Sequence, residues 1–116
     1  MRMLRRLSVL VLLAPFVLAA CSTPPPPISV EDGMVTVLNQ TDQDWKDVLI
    51  TVNDHFRGFV PLLKAQGRAN APLNQFQTGF GQRWASGTPV RTIDVAGKSA
   101  DGTAVTLTFG REEGKH

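Results

Sequence analysis

From Ile28 onward, hydrophobic and polar positions mostly alternate along the chain, which is the pattern of a β-strand with one buried face. The pattern is clearest where Val48, Ile50 and Val52 alternate with Leu49, Thr51 and Asn53. The Asn53-Asp54 pair predicts a turn, after which residues 56–64 are expected to pair back as a hairpin. Pro61 in that segment predicts an edge strand or a bulge, because proline cannot donate a hydrogen bond to a neighbouring strand.

Further segments also show strand character. Residues 34–39 form one, and Leu73 with Phe76 marks a second, short one after Ala71-Pro72. Residues 91–96 and 103–109 form the final pair, joined by a turn at residues 97–102. We expect these hairpins to share one core, made of Val48, Ile50, Val52, Ile93, Val95, Val105, Leu107 and Phe109.

No window carries a long helical pattern, so the sequence predicts an all-β chain with a single small β-sandwich over residues 28–110. A small β-barrel is the alternative. The order of motifs resembles that of small immunoglobulin-like domains in bacterial envelope proteins: Asn39-Gln-Thr before a Trp, a Val-x-Val-Asn hairpin, Leu and Phe before a Gly-containing loop, and a terminal hairpin. The resemblance spans residues 34–109, lacks the paired cysteines of antibody domains and implies no particular activity.

The first 21 residues follow a different pattern. Three arginines precede an apolar run over residues 7–18, which ends in Leu-Ala-Ala followed by Cys21, the only cysteine of the chain. A basic start, an apolar run and small residues before the cleavage site are typical of a secretion signal. The ending resembles the lipobox of bacterial lipoproteins, which implies a signal peptide over residues 1–20 and a diacylglycerol thioether on Cys21.

Two other interpretations of this segment are a transmembrane helix and an ordinary signal peptide with an incidental cysteine. A spanning helix needs about 20 apolar residues, whereas the run here has roughly a dozen and contains Pro15. The lipobox therefore explains the segment best.

Residues 21–27 are predicted to be the lipidated cysteine and a proline-rich tether. Four consecutive prolines, Pro24 to Pro27, favour the extended polyproline II form and span about 12 Å at its rise per residue. The residue directly after the cysteine is Ser22. An aspartate at that position resembles an inner-membrane retention signal, so the serine favours the outer membrane. The expected location is therefore the cell envelope, at the outer membrane and facing the periplasm. At the other end of the chain, residues 111–116 are predicted to be a flexible tail.

Charge follows this division of the chain. The formal net charge of +2 includes the three arginines of the predicted signal, and without them nine Lys and Arg face ten Asp and Glu. The remaining 96 residues therefore carry a net charge of −1 and are enough for one domain. This balance gives no support to a nucleic-acid partner.

Candidate catalytic or metal-binding residues are few. A hydrolytic triad needs a base beside its nucleophile, and the two histidines are His55, next to a predicted turn, and His116 at the chain end. The acidic residues of the 42–47 stretch, Asp42, Asp44 and Asp47, lack the glycine and distal glutamate of an EF-hand loop. We therefore predict no catalytic residue, no metal site and no cofactor.

The segment from Gln77 to Pro89 is the best candidate for a binding site. It is the longest stretch of the predicted domain without strand alternation, and it contains Phe80, Arg83 and Trp84 among glycines. Aromatic residues and arginine dominate the energetics of interfaces, so these three are the candidate partner-binding residues. In the alternative, Phe76, Phe80 and Trp84 cap the end of the sandwich.

Taken together, the sequence predicts a lipid-anchored envelope lipoprotein that acts as a non-enzymatic accessory or protein-interaction domain, with an envelope protein as its partner. A small carbohydrate-binding or metal-binding envelope module is the alternative.

Overall fold

The computed structural model describes residues 24–111. The predicted signal peptide (residues 1–20), the predicted lipidation site Cys21 and residues 112–116 of the predicted tail lie outside the described residues. No helix in the described part of the chain is long and apolar enough to cross a membrane.

The described residues form seven strands and one short 3-10 turn, Leu73–Gln75. The strands are β1 (Ile28–Glu31), β2 (Met34–Leu38), β3 (Trp45–Val52), β4 (Phe56–Leu63), β5 (Arg68–Pro72), β6 (Ile93–Ser99) and β7 (Ala104–Phe109). All strand pairs are antiparallel.

The strands form two sheets that pack face to face as a sandwich. One sheet has the order β1-β2-β5 and the other has the order β4-β3-β6-β7. The predicted all-β sandwich is confirmed. The barrel alternative is wrong, since within residues 24–111 no strand pairing joins one sheet to the other and both sheets keep open edges.

The β3–β4 hairpin forms as the sequence predicts. Val48, Ile50 and Val52 are completely buried on the inner face of β3. The turn uses positive φ angles at Asn53 (51°) and Asp54 (67°), a conformation that Asn and Asp tolerate better than most side chains. β4 is an edge strand, which is the position that its proline predicted.

The β6–β7 hairpin also has the expected register. Ile93 lies opposite Phe109, and Val95 lies opposite Leu107. Ile93 and Val95 are completely buried, whereas Val105, Leu107 and Phe109 are partly buried and pack against the core, since β7 lies at the edge of its sheet. The turn is shorter than predicted, because β6 continues through Gly97 to Ser99.

The prediction of a short strand around Leu73 and Phe76 is wrong. The strand in this region is β5, Arg68–Pro72, and Leu73 begins the 3-10 turn that follows it. The β5 sequence Arg-Ala-Asn-Ala-Pro has no large apolar or β-branched residue to indicate a strand. Its two alanines lie opposite Val37 and Val35 of β2, so pairing with β2 makes this segment a strand.

A β-bulge places Trp45 in the core. The pairing of β3 with β6 shifts by one residue at Asp47, which has a φ of 52°. The shift brings Trp45 and Val48, three positions apart, to the same inner face. Gly97 lies opposite the bulge, where a Cβ atom would stand 3.2 Å from Cγ2 of Val48.

The two ends of the sandwich are structurally different. At one end, the backbone oxygen of Pro27 accepts a hydrogen bond from the Leu38 nitrogen (2.8 Å), so we call this the tether end. The turn between β3 and β4 marks the opposite, distal end. There Arg111 forms ion pairs with Asp94 (2.8 Å) and Asp54, which join the end of β7 to that turn.

Candidate functional site

The segment that the sequence singles out folds back onto the edge of β4 at the distal end. Residues 77–83 form a small loop, which we call the Phe80 hairpin, with isolated bridges between Arg57 and Gln77 and between Gln77 and Arg83. The Arg57 nitrogen donates to the Gln77 oxygen (2.9 Å), and the Gln77 nitrogen donates to the Arg57 oxygen (3.4 Å). The hairpin is thus held by main-chain hydrogen bonds to β4.

Thr78 holds the tip of the Phe80 hairpin together. Its Oγ1 accepts hydrogen bonds from the backbone nitrogens of Phe80 (3.3 Å) and Gln82 (3.1 Å). Its own nitrogen donates to the Gln82 oxygen (2.9 Å), and its oxygen accepts from the Gly81 nitrogen (2.9 Å). Gly81 has a φ of 87°, where a side chain would be strained. The tip is therefore a closed, hydrogen-bonded turn.

Phe80 stands at this tip with its side chain completely in solvent, at 101 % relative exposure. Arg83, also exposed, follows on the returning arm of the hairpin. A large apolar ring held in solvent by a hydrogen-bonded turn makes Phe80 a candidate contact residue, because aromatic side chains are enriched among the residues that dominate interface energetics.

Trp84 lies elsewhere, inside the distal end. It is only 9 % exposed, and its ring packs edge-on against Phe56 with centroids 4.9 Å apart and an interplanar angle of 78°. Its nitrogen donates to the Phe76 oxygen (3.3 Å), and Phe76 is itself buried. The structure thus separates the three candidate partner-binding residues: Phe80 and Arg83 are on the surface, and Trp84 with Phe76 closes the core.

Gly58 makes this closure possible, although the strand pattern alone did not single it out as a candidate. A Cβ atom on Gly58 would lie 2.9 Å from two atoms of the Phe76 ring, so the ring packs directly on the glycine. An isolated glycine within a strand pattern is a signal of close approach, and that signal was available in the sequence.

A cleft of about 480 Å³ lies between the Phe80 hairpin and the start of β4. Its lining comprises His55, Phe56, Arg57, Thr78, Gly79, Phe80 and Gln82. The volume is in the range of small-ligand pockets. Its ionisable lining residues are His55 and Arg57, and the neighbouring Asp54 is paired with Arg111. The cleft therefore has an apolar wall and a rim without acidic side chains.

An apolar strip continues from this site along the outer face of the four-stranded sheet. Phe59 of β4 is 60 % exposed and lies directly opposite Leu49 of β3, which is 38 % exposed. Strand alternation could have assigned both to the outer face, since each neighbours a residue expected to face inward. Arg57 is on the same strand, two residues before Phe59.

The acidic and histidine candidates have simple structural settings. Asp44 accepts a hydrogen bond from the Ala65 nitrogen (2.8 Å), and Asp42 accepts one from Gln66 (3.5 Å), which ties their loop to the β4–β5 turn. His55 is exposed in the β3–β4 turn. Within residues 24–111, no three His, Cys, Asp or Glu side chains are grouped so as to hold a metal ion.

Comparison with known proteins adds no relative. The chain matches no protein-family model, no curated protein and no solved structure.

Proposed function

We propose that this chain is a lipid-anchored protein of the bacterial cell envelope, held at the outer membrane through Cys21 and facing the periplasm. Its domain has no catalytic activity and binds a protein partner through the Phe80 hairpin. The observation that carries the proposal is the position of that hairpin, at the end of the sandwich opposite the tether.

The tether and the Phe80 hairpin lie at opposite ends of the domain, which supports this arrangement. The tether arrives beside Leu38 and Gln40, where the Pro27 oxygen accepts from the Leu38 nitrogen and the Pro25 oxygen accepts from Gln40 Nε2 (both 2.8 Å). On β4, Arg57 pairs with the Phe80 hairpin, and Leu63 lies near the tether end, about 20 Å away at the rise of a strand. A lipid on Cys21 would leave Phe80 facing away from the anchored side.

The chemistry of the surface favours a protein as the partner. Phe80, Arg83 and Arg57 combine an exposed aromatic ring with two guanidinium groups, the residue types that contribute most to interfaces. The apolar strip of Phe59 and Leu49 extends the same surface. A contact centred on Phe80 could therefore include the outer face of the sheet.

The strand order supports an immunoglobulin-like type of sandwich. In the constant-type immunoglobulin domain, strands one, two, five and four form one sheet, and strands three, six and seven form the other. The present order differs only in the fourth strand, which lies beside β3 instead of β5. Such a domain serves as a scaffold on which loops carry function.

The lipid anchor is tested by mass spectrometry of the protein purified from membranes. We expect an N-terminal peptide that begins at a diacylglyceryl-modified Cys21. Two acyl chains anchor a protein firmly where one does not, so Cys21→Ala should leave the membrane fraction. Its recovery in that fraction, in the amount seen for wild type, would overturn the anchoring.

The binding surface is tested by photo-cross-linking in intact cells. A benzophenone amino acid at position 80 should give one discrete cross-linked product, and the same probe at Asp42, exposed near the tether end, serves as the matched control. Addition of Arg83→Glu should abolish the product, because it replaces one of the two guanidinium groups with a carboxylate and removes the net positive charge of Arg57 and Arg83. A product of equal yield at both positions would refute the proposed surface.

A carbohydrate-binding module is the second candidate, since the exposed face of Phe80 could also stack on a sugar ring. Calorimetric titration with soluble cell-wall oligosaccharides distinguishes the two. Sugar binding that is lost in Phe80→Ala would assign the surface to carbohydrate. If the titration shows no heat of binding while the position-80 probe still cross-links to a protein, the surface belongs to a protein partner.

A further inference from the structure

Three of the four exposed large hydrophobic side chains in residues 24–111 lie on the outer face of the four-stranded sheet. They are Leu49, Phe59 and Leu62, and the fourth is Phe80 at the distal end. Leu49 and Phe59 are register partners, and Leu62 lies opposite the exposed Lys46. The tether enters the other sheet through β1, so it approaches the domain away from this face.

Two arginines stand at the distal end of this face. Arg57 lies two residues before Phe59 on β4 and therefore points to the same side of the sheet. Arg57 and Arg83 are both register partners of Gln77, so their side chains project from one face, with Cα atoms about 10 Å apart. Within residues 24–111, the ion pairs both belong to Arg111, so neither of these guanidinium groups is neutralised.

Two lysines stand at the tether end of the same face. Lys46 lies directly opposite Lys98 of β6, and both are exposed. Like charges at facing positions of a sheet repel each other and lower its stability. No carboxylate of the described chain forms an ion pair with either lysine, the neighbouring Asp47 included. The partner of Lys46 on β4 is five residues from Arg57, so about 17 Å separates the lysines from the arginines.

We infer that the outer face of the four-stranded sheet binds an acidic segment of the partner protein, whose apolar side chains lie between two groups of carboxylates. The inference rests on the proposed function, which assigns a protein partner to the Phe80 hairpin, and adds the chemistry of the bound segment. The apolar side chains would cover Phe59, Leu49 and Leu62, and the carboxylates would pair with the basic residues at the two ends. A helix of about eleven residues spans the distance between those ends.

The position of the charges favours a protein over an anionic membrane. The membrane that holds the anchor lies on the side of the tether end, whereas Arg57, Arg83 and Phe80 lie at the distal end. A protein segment reaches both ends of the face while the domain stands upright on its tether.

Photo-cross-linking of the full chain in intact cells tests the inference. A benzophenone amino acid at position 59 should give the same product as the probe at position 80, because one partner would contact both residues. The same probe at Asn70, exposed on the other sheet, is the matched control and should give no product. A product at position 80 alone would overturn this inference and leave the proposed function standing, and no product at either position would overturn both. Attachment of the position-59 probe to lipid instead of protein would overturn it in favour of a membrane surface.

A charge variant tests the acidic character of the bound segment. Lys98→Glu should lower the yield of the position-59 product about tenfold, because the new carboxylate neutralises Lys46 and two ion pairs to the partner are lost. The variant should fold as wild type does, since it replaces two facing like charges with opposite ones. Lys98→Arg keeps the charge and should retain the product. Arg68→Glu, an equal change in net charge on the other sheet, is the matched control. A yield that Lys98→Glu leaves unchanged would overturn the inference.

Discussion

At the scale of single residues, Asn39 is the side chain on which the tether end depends. It is the buried polar residue of the described chain, at 1 % exposure. Its Nδ2 donates to the oxygens of Gln43 (2.8 Å) and Leu63 (3.1 Å), and its Oδ1 accepts from the nitrogen (3.0 Å) and hydroxyl (2.7 Å) of Thr41. All four hydrogen-bonding positions of the amide are thus used. The residue joins the 39–44 loop to the end of β4.

We predict that Asn39→Asp destabilises the fold by about 3 kcal/mol. The carboxylate would lose both donors and place its charge against the oxygens of Gln43 and Leu63. Urea denaturation followed by tryptophan fluorescence measures the change. Asn70→Asp is the control: Asn70 is exposed and accepts from Thr36 Oγ1 (3.0 Å), a bond that a carboxylate retains. If the two variants were equally stable, the role assigned to Asn39 would be wrong.

At the scale of elements, the β6–β7 hairpin is closed by Asp101. Its carboxylate accepts hydrogen bonds from the Ser99 hydroxyl and from the Thr103 nitrogen (3.0 Å). These bonds, the Ser99 bond above all, lower the pKa of Asp101 from 3.8 to about 2. Gly102 completes the turn with a φ of 90°. The turn therefore sets the register in which β7 meets β6.

This turn should weaken at low pH. Because the pKa of Asp101 is lower in the folded chain than in the unfolded chain, its contribution to stability is complete above about pH 4 and is lost as the pH falls through about 2. NMR titration of the carboxyl carbon should give a pKa near 2 in wild type. Ser99→Ala should raise it towards 3.8, and Ser86→Ala, in a distant loop, should not. An unchanged pKa in Ser99→Ala would contradict the assignment.

At the scale of the whole molecule, the distal end combines a closed core with an exposed tip. Phe76, Trp84 and Phe56 fill the space between the sheets, while Phe80 extends from the same segment into solvent. Three main-chain hydrogen bonds separate these roles: one joins the Trp84 nitrogen to the Phe76 oxygen, and two join Gln77 to Arg57 of β4. Core packing and the proposed binding thus involve different residues of one segment.

Substitution separates the two roles. Trp84→Ala should lower the free energy of unfolding by about 3 to 5 kcal/mol, because it removes a large buried ring. Phe80→Ala should change it by less than about 0.5 kcal/mol, because the ring contacts solvent. Thermal and chemical denaturation of both variants gives the comparison. A Trp84→Ala chain as stable as wild type would show that the distal end does not close as described.

The local alternation of apolar and polar residues was sufficient to predict the two hairpins and the all-β class of the chain. In β3–β4 and β6–β7, apolar residues alternate along neighbouring segments joined by turn residues, and hydrogen bonds between sequence neighbours form with little loop entropy. The same alternation predicted which residues of β3 and β6 face the core, and Pro61 predicted that β4 lies at an edge of its sheet. The sequence also identified the 77–89 segment and its aromatic residues as the candidate site.

Contacts between distant segments decided the rest. β5 is a strand because β2 pairs with it, since Ala69 and Ala71 carry little strand preference of their own. The bulge at Asp47 brings Trp45 to the inner face, which a period of two cannot indicate. Phe80 and Trp84 have the same local composition around them, and only the packing of Trp84 on Phe56 separates the exposed ring from the buried one. Burial depends on what lies across the core, and a single segment does not contain that information.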